Sequence, residues 1–327
     1  MRKLKRVPLT TIDLEDSTFL IAFMPNIEPL QTSIQLVGLL EPLIVRQRAD
    51  RRYQLVCGFK RTDALRHLSI SHAEAFIYPE GEIDDLQAFL LTMGHNLLRS
   101  MNLIEKAHTL QKLLSFGVSE RDVIDRYLPL LDLQPNIRVL KQVVALLGLE
   151  ENVKEYMVGE GLSLSTSTLF LLLDREDQRA IFPLLLALNP GENRVKEIVT
   201  FLREISMREG IPIPRLLAKK EINDLLAEQQ IPRPQRLERL RRKIKEMRFP
   251  RLSLLESRFA DYKRTLSLPP QISFHPPPFF ESEHFKMELR FKDFRQFQEL
   301  VAKLLHIAER DRGGGDPIKE LTEVVDL

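Results

Sequence analysis

The chain has 327 residues, 43% hydrophobic and 29% charged, with a formal net charge of +2. That composition is ordinary for a soluble globular protein of two or three domains, and near-neutrality confines any nucleic-acid site to local basic patches. A single cysteine excludes an internal disulfide framework and fits a reducing cytosol, no apolar run reaches membrane-spanning length, and no signal-peptide core follows the basic start Met1–Arg6.

In chain order, residues 1–90 read as mixed α/β. Leu30–Val37 carries helical periodicity and stops at Gly38. Leu43–Arg46 and Tyr53–Val56 are expected as short strands around the polar turn Ala49-Asp50-Arg51-Arg52, with a further strand at Ala75–Tyr78 and a helix over 84–92. From 103 to 210 the pattern is helical, with segments at 103–115, 119–131, 136–147, 150–159, 165–173, 176–188 and 193–208. Proline pairs at 212/214 and 232/234 bracket a short helix, Leu216–Gln229, and mark 211–234 as a semi-rigid linker. A basic amphipathic helix follows, with Leu237, Leu240, Ile244 and Met247 at a/d-like spacing; within 231–251 nine cations face only Glu238 and Glu246. A strand at 286–291 and a helix at 294–308 complete a region 235–310, and 311–327, with Gly313-Gly314-Gly315, reads as a disordered tail.

The most informative stretch is Val56-Cys57-Gly58-Phe59-Lys60-Arg61, a strand end running into a helix. Amide groups of a first helical turn have no intrahelical partner and the macrodipole favours negative charge there, so Gly58, Phe59, Lys60 and Arg61 make an anion site for which phosphate is the obvious ligand. A tight turn with merely solvated cations fits the same residues. Cys57 adjoins this turn; a buried cysteine ending a strand accounts for it better than a catalytic one. In the second constellation, Asn96 and Arg99 lie three apart, an amide oxygen suited to Mg²⁺ and a guanidinium suited to phosphate. Asn102 and Glu105 form a helix-capping pair beside them. The third is the helical pair 119–131 and 136–147, whose second member exposes Arg138, Lys141 and Gln142 and would enter a major groove as well as it would sit in solvent. The basic helix, with Arg239, Arg242 and Lys243, is either a DNA-phosphate face or a solvated coiled-coil face. The seven histidines show no HxH or HExxH spacing.

Together and in this order, these residues resemble the ParB family of chromosome and plasmid partition proteins. Leu39-Leu40-Glu41-Pro42-Leu43-Ile44-Val45-Arg46 is similar to its first motif, Cys57-Gly58-Phe59-Lys60-Arg61-Thr62-Asp63-Ala64 to its Gly-Glu-Arg-Arg box, and Asn96-Leu97-Leu98-Arg99 through Glu105-Lys106-Ala107 to its Glu-Asn-x-x-Arg box. The resemblance implies an α+β protein: a small α/β N-terminal domain (1–102), a helical domain (103–210) with a helix-turn-helix variant, the linker, and a C-terminal dimerisation domain (235–310). It implies a homodimeric, CTP-dependent clamp on double-stranded DNA, cytoplasmic and nucleoid-associated. Gly58, Lys60 and Arg61 would hold the triphosphate, Asn96 would contact Mg²⁺ or phosphate, and Arg99 would support the pocket. Phe59 stands where the family usually has Glu, and His95 where it has the Glu tied to CTP hydrolysis. Imidazole supplies no carboxylate, so the resemblance carries binding further than CTPase activity. The leader that engages a ParA-type ATPase is short or missing, which leaves that partner open. The rival readings are a related transcriptional regulator or plasmid or phage DNA-binding protein without nucleotide use, and a phosphotransferase or nuclease on the same N-terminal domain.

Overall fold

The computed structural model describes residues 3–228 and 230–310; the expected tail, 311–327, lies outside the described residues. The chain divides into two compact units. One runs from the N-terminal strand to residue 186 and includes 191–196; the other comprises 187–190 and the chain from 197 onward.

The first unit is built on a five-stranded sheet formed by β1 (Lys3–Pro8), β2 (Ile12–Asp13), β3 (Leu43–Gln47), β4 (Tyr53–Cys57) and β5 (His72–Tyr78), in the order β1-β5-β3-β4-β2. β3 is central, antiparallel to β4 and parallel to β5. Its Leu43-Ile44-Val45 run is buried on both faces, which explains a continuous apolar stretch rather than an alternating one. One face packs Leu43, Val45, Leu55, Ala75 and Ile77 with Ile34 of α1 (Glu28–Val37) and Leu65 of α2 (Phe59–His67). The other packs Ile44, Val56 and Cys57 with Phe89 and Met93 of α3 (Asp85–Leu97) and Leu110 of α4 (Leu103–Ser115). A β-bulge at Ile44/Val45 brings Val56 and Cys57 into this same core.

The basic start is an edge strand. β1 pairs antiparallel with β5, and Lys3, Lys5 and Arg6 remain exposed, charges that discourage pairing with another chain. The core that holds Phe89 continues through Leu110 to Leu128, Leu140 and Val143, so α4 and the segments after it share a core with the sheet across residue 102.

The expected helix 119–131 is broken into α5 (Glu120–Asp122), a π-turn (Val123–Tyr127) and α6 (Leu128–Leu130). Pro129 has no N–H for the carbonyl four residues back, and the Leu128 N–H reaches Val123 O, five residues back. α7 (Ile137–Ala145) is capped by Asn136, whose Oδ1 accepts from Val139 N at 2.8 Å. α8 (Glu151–Gly159), α9 (Leu164–Phe170), α10 (Arg175–Leu188) and α11 (Glu192–Glu209) follow as the periodicity predicts.

In the second unit, the expected linker 211–234 contains α12 (Ile213–Leu217) and α13 (Lys220–Ala227), with Ile213, Leu216 and Ile222 buried. α14 (Arg233–Arg248) and α15 (Pro250–Thr265) precede a hairpin of β6 (Ile272–His275) and β7 (Lys286–Leu289) and then α16 (Phe294–Arg310). Phe259, Phe274 and Phe285 form an aromatic core there, with the Phe259 and Phe274 centroids 4.9 Å apart. No helix among the described residues is long and apolar enough to cross a membrane.

Candidate functional site

Gly58 caps α2 with φ +110°, and a Cβ there would lie 2.6 Å from Leu43 Cδ2, so only glycine fits both the backbone and the space. The first intrahelical bond of α2 is Thr62 N to Gly58 O at 2.8 Å. The N–H groups of Phe59, Lys60 and Arg61 are therefore the orphan donors of this helix, and no side chain caps them. They border a cavity of about 250 Å³ lined by Cys57, Gly58, Lys60, Arg61, His95 and Asn96 among others.

The two cations of this turn differ. Arg61 is anchored to the fold through one nitrogen: Nη1 donates to Glu41 O at 2.9 Å, Pro42 O at 3.0 Å and Glu41 Oε2 at 3.2 Å. It clips the entry of β3 to α2. Lys60 has no ion-pair partner among the described residues. Burial, and then the charge of Arg99, hold its ammonium below the ordinary lysine value, with Glu105 pulling the other way. Lys60 is thus the lining cation without a partner in the fold among the described residues.

Asn96 lies in the last turn of α3, whereas Arg99 lies beyond the helix end. Arg99 Nε and Nη2 donate to Asn96 Oδ1 at 3.0 and 2.8 Å; Nη1 and Nη2 donate to Glu105 at 2.7 and 2.8 Å; and Nη1 donates to Ser100 O at 3.1 Å. A guanidinium has five N–H donors, and all five are used. Glu105 is 2% exposed and also accepts from the Asn102 N–H, completing the capping box of α4 that the sequence predicts. The Asn96 amide donates to Thr92 O at 2.8 Å.

These bonds test the two groups that the resemblance implies. The free Lys60, the orphan amides and the adjoining cavity fit a phosphate chain. The donors do not fit Mg²⁺, because both lone pairs of Asn96 Oδ1 accept from Arg99 and the one carboxylate lining the cavity, Glu41, is paired with Arg61. Among the described residues no group of three or more His, Cys, Asp or Glu side chains is placed to hold a metal ion.

Cys57 is buried and hydrogen-bonded to Thr92 at 3.7 Å; burial pushes its thiol up to about 11, so it is a core residue facing the site. Phe59 packs partly buried against both cores, and His95 is exposed at the cavity. Sequence reasoning missed Ile21, Ala22, Leu30 and Thr92 as lining residues. Thr92 had a signal, since it stands four residues before Asn96 on the same helix face; the loop residues Ile21 and Ala22 had none.

The two expected nucleic-acid faces fare differently. On α7, Arg138 and Lys141 are exposed and Gln142 is half-buried, with Leu140 and Val143 facing the core. On α14 the basic face is largely neutralised within the chain. Arg239 pairs with Glu228 at 2.8 Å, Arg241 with Glu197 and Lys243 with Glu221 at 2.5 Å, Lys245 with Glu256 at 3.0 Å, and Arg248 with Glu204 at 2.5 Å. The seam Leu237, Leu240 and Ile244 is buried, α14 packing against α13 and α15 rather than lying open as a coiled-coil face. Arg239 and Lys243 are thus engaged, and Arg242 alone of the three expected DNA contacts is exposed and without an ion pair among the described residues.

The family model of the ParB N-terminal domain matches residues 3–97. The probable chromosome-partitioning protein ParB of Pseudomonas putida is 27% identical over 161 residues, 42% of this chain and 54% of that protein. The chromosome-partitioning protein Spo0J of Thermus thermophilus is 31% identical over 102 residues, 31% of this chain and 36% of that protein. The matches thus span about half of the first relative and a third of the second. Among solved structures, the C-terminally truncated chromosome-partitioning protein ParB from Caulobacter crescentus complexed with CTP-γ-S aligns with a TM-score of 0.27 and 20% identity, covering 59% of this chain and 98% of that one. Residues 3–97 thus match the N-terminal domain of the ParB family.

Proposed function

We propose that this chain is a DNA-binding partition protein whose N-terminal domain takes CTP as a switch ligand. The observation that carries the reading is the turn at Gly58: three orphan amides and the unpaired Lys60 ammonium converge on one cavity. Its volume, about 250 Å³, is just below the ~300–1,000 Å³ usual for ligand pockets and suits a phosphate chain with part of a nucleoside. In this reading the Phe59, Lys60 and Arg61 amides and the Lys60 ammonium hold phosphate oxygens. Arg61 fixes the turn to β3, and Arg99 holds Asn96 against α3. His95 provides no carboxylate to orient a water, so the site senses nucleotide rather than turning it over.

Double-stranded DNA would meet the exposed Arg138 and Lys141 of α7; Arg242, in the second unit, is a separate candidate contact. A homodimer would form through the hairpin and α16, where Phe291, Phe294 and Leu305 are 52%, 70% and 60% exposed. Exposed large apolar side chains of this kind are what an interaction surface offers. A role at the nucleoid, with or without a ParA-type ATPase, follows from the same reading.

A second reading, DNA binding without nucleotide, is favoured by one observation: all five donors of Arg99, and Nη1 of Arg61, are already taken inside the fold. Isothermal titration with CTP, UTP, ATP and GTP, with and without DNA, separates the two. Selective CTP binding supports the switch; binding of none of the four, with DNA affinity unaffected by CTP and by Arg61→Ala, replaces it with the second reading.

A further inference from the structure

We infer that Arg99, pinned by Glu105, occupies the place of a divalent cation at Asn96, and that this pocket takes its nucleotide as a metal-free polyphosphate anion. The inference rests on the nucleotide reading above and goes beyond it in assigning the countercharge.

A magnesium ion needs oxygen lone pairs at short range and in octahedral array. The amide oxygen available here, Asn96 Oδ1, accepts from both Nε and Nη2 of Arg99, at 3.0 and 2.8 Å. To reach that oxygen a metal must displace the guanidinium. Displacement would strand Glu105, a carboxylate with 2% exposure whose two oxygens accept from Arg99 at 2.7 and 2.8 Å. Its remaining donors are backbone amides, Asn102 N at 3.2 Å and Phe23 N at 3.4 Å. A buried carboxylate deprived of its ion-pair partner is strongly disfavoured, so Arg99 stays and the oxygen stays blocked. Glu105 is itself fixed by the start of α4, which makes the block part of the fold and not a mobile side chain.

The cavity is also cationic without a metal. Lys60 and Arg61 line it, and Glu41, whose side chain is 71% exposed, balances Arg61 only. Lys60 is partly desolvated beside Arg99, a position in which an ammonium gains most from an arriving anion. The protein therefore brings fixed positive charge and helix-terminal amides to the phosphate chain, the work that Mg²⁺ does at sites whose acceptor oxygens are free.

The test is titration of the full chain with CTP in millimolar magnesium and again in excess EDTA. The dissociation constants are expected to agree within about threefold, whereas weakening by more than about tenfold in EDTA, some 1.4 kcal/mol, overturns the inference while leaving the nucleotide reading intact. Absence of CTP binding in both buffers removes the nucleotide reading, and the inference with it. A second protein carrying Arg99→Met and Glu105→Gln frees the Asn96 oxygen without stranding a charge. It is expected to acquire metal-enhanced CTP binding and to broaden the Mn²⁺ resonance signal in the presence of CTP beyond CTP alone. If the wild type and this variant respond to Mn²⁺ alike, Arg99 is not what excludes the metal.

Discussion

Arg99 and Glu105 form a two-point ion pair, with Nη1 to Oε2 at 2.7 Å and Nη2 to Oε1 at 2.8 Å, and the Glu105 side chain is 2% exposed. The pair joins the end of α3 to the cap of α4. Arg99→Ala removes one partner and leaves a buried carboxylate held by amides alone, so it is expected to destabilise the protein by about 3–5 kcal/mol. Adding Glu105→Gln to Arg99→Ala removes the stranded charge and is expected to recover part of that loss. Urea unfolding of the single and double variants reads both; a double variant no more stable than Arg99→Ala would contradict the pairing.

Gly58→Ala meets two penalties at once, a φ of +110° and a Cβ 2.6 Å from Leu43 Cδ2. A non-glycine residue in that region costs about 1–3 kcal/mol before the clash is counted. The expected result is a clear fall in Tm, whereas Lys60→Met, which removes a desolvated charge without a partner, leaves Tm unchanged or raises it and weakens CTP binding. A fall in Tm for Lys60→Met comparable to that for Gly58→Ala would show that Lys60 is a structural residue.

Burial pushes the Cys57 thiol up to about 11 against Thr92 and Arg61, which pull it down. For an acid whose folded value is raised, the sign is unfavourable at high pH: both states are neutral below the ordinary thiol value, and above it only the unfolded chain ionises. Stability is therefore expected to decline from about pH 9 to pH 11, by up to about 2–3 kcal/mol at 1.4 kcal/mol per unit. Denaturant midpoints across that range, compared with Cys57→Ala, isolate the effect. The native thiol is expected to react with a disulfide reagent at pH 8 far more slowly than the unfolded chain, and equal rates would overturn the assignment.

Arg242 and Lys243 are adjacent on α14, yet Arg242 is exposed while Lys243 pairs with Glu221 at 2.5 Å and Glu246 at 3.8 Å. If α14 touches DNA, Arg242→Ala is expected to lower the slope of log affinity against log salt by about one, and Lys243→Ala to leave it unchanged. Fluorescence anisotropy over a potassium chloride series measures both slopes. Equal slopes in all three proteins would place the DNA contacts elsewhere, with α7 the first alternative.

Much of the first unit was legible because its signals are local. The Asn102–Glu105 capping box involves one helical turn, and α4 begins where that box predicts. The β3–β4 hairpin and the Gly58 turn likewise depend on neighbouring residues, and they formed at the expected positions. β1 was missed because its strand character comes from pairing with β5, some seventy residues away, while its own residues read as a basic leader. The break in 119–131 was marked by Pro129, but the π-turn that absorbs it depends on how the core places Val123 and Leu128. Arg99 and Glu105 stand six residues apart across the end of a helix, a spacing that no periodic pattern singles out.

What the amino-acid sequence by itself determined is the set of groups: a glycine where only glycine fits, Lys60 and Arg61 in a first helical turn, and a basic amphipathic stretch at 233–248. Only the tertiary structure decided which of those charges remain available. Arg61 went through Nη1 to the carbonyls of Glu41 and Pro42, Arg99 to Asn96 and Glu105, and five cations of α14 to carboxylates on its own and other elements, while Lys60 and Arg242 are among those without an ion pair among the described residues. The physical reason is that an ion pair is set by separation in space. Packing brings Glu197 to Arg241 and Glu204 to Arg248 across forty-four residues of chain, a relation that charge counts and helical periodicity do not contain.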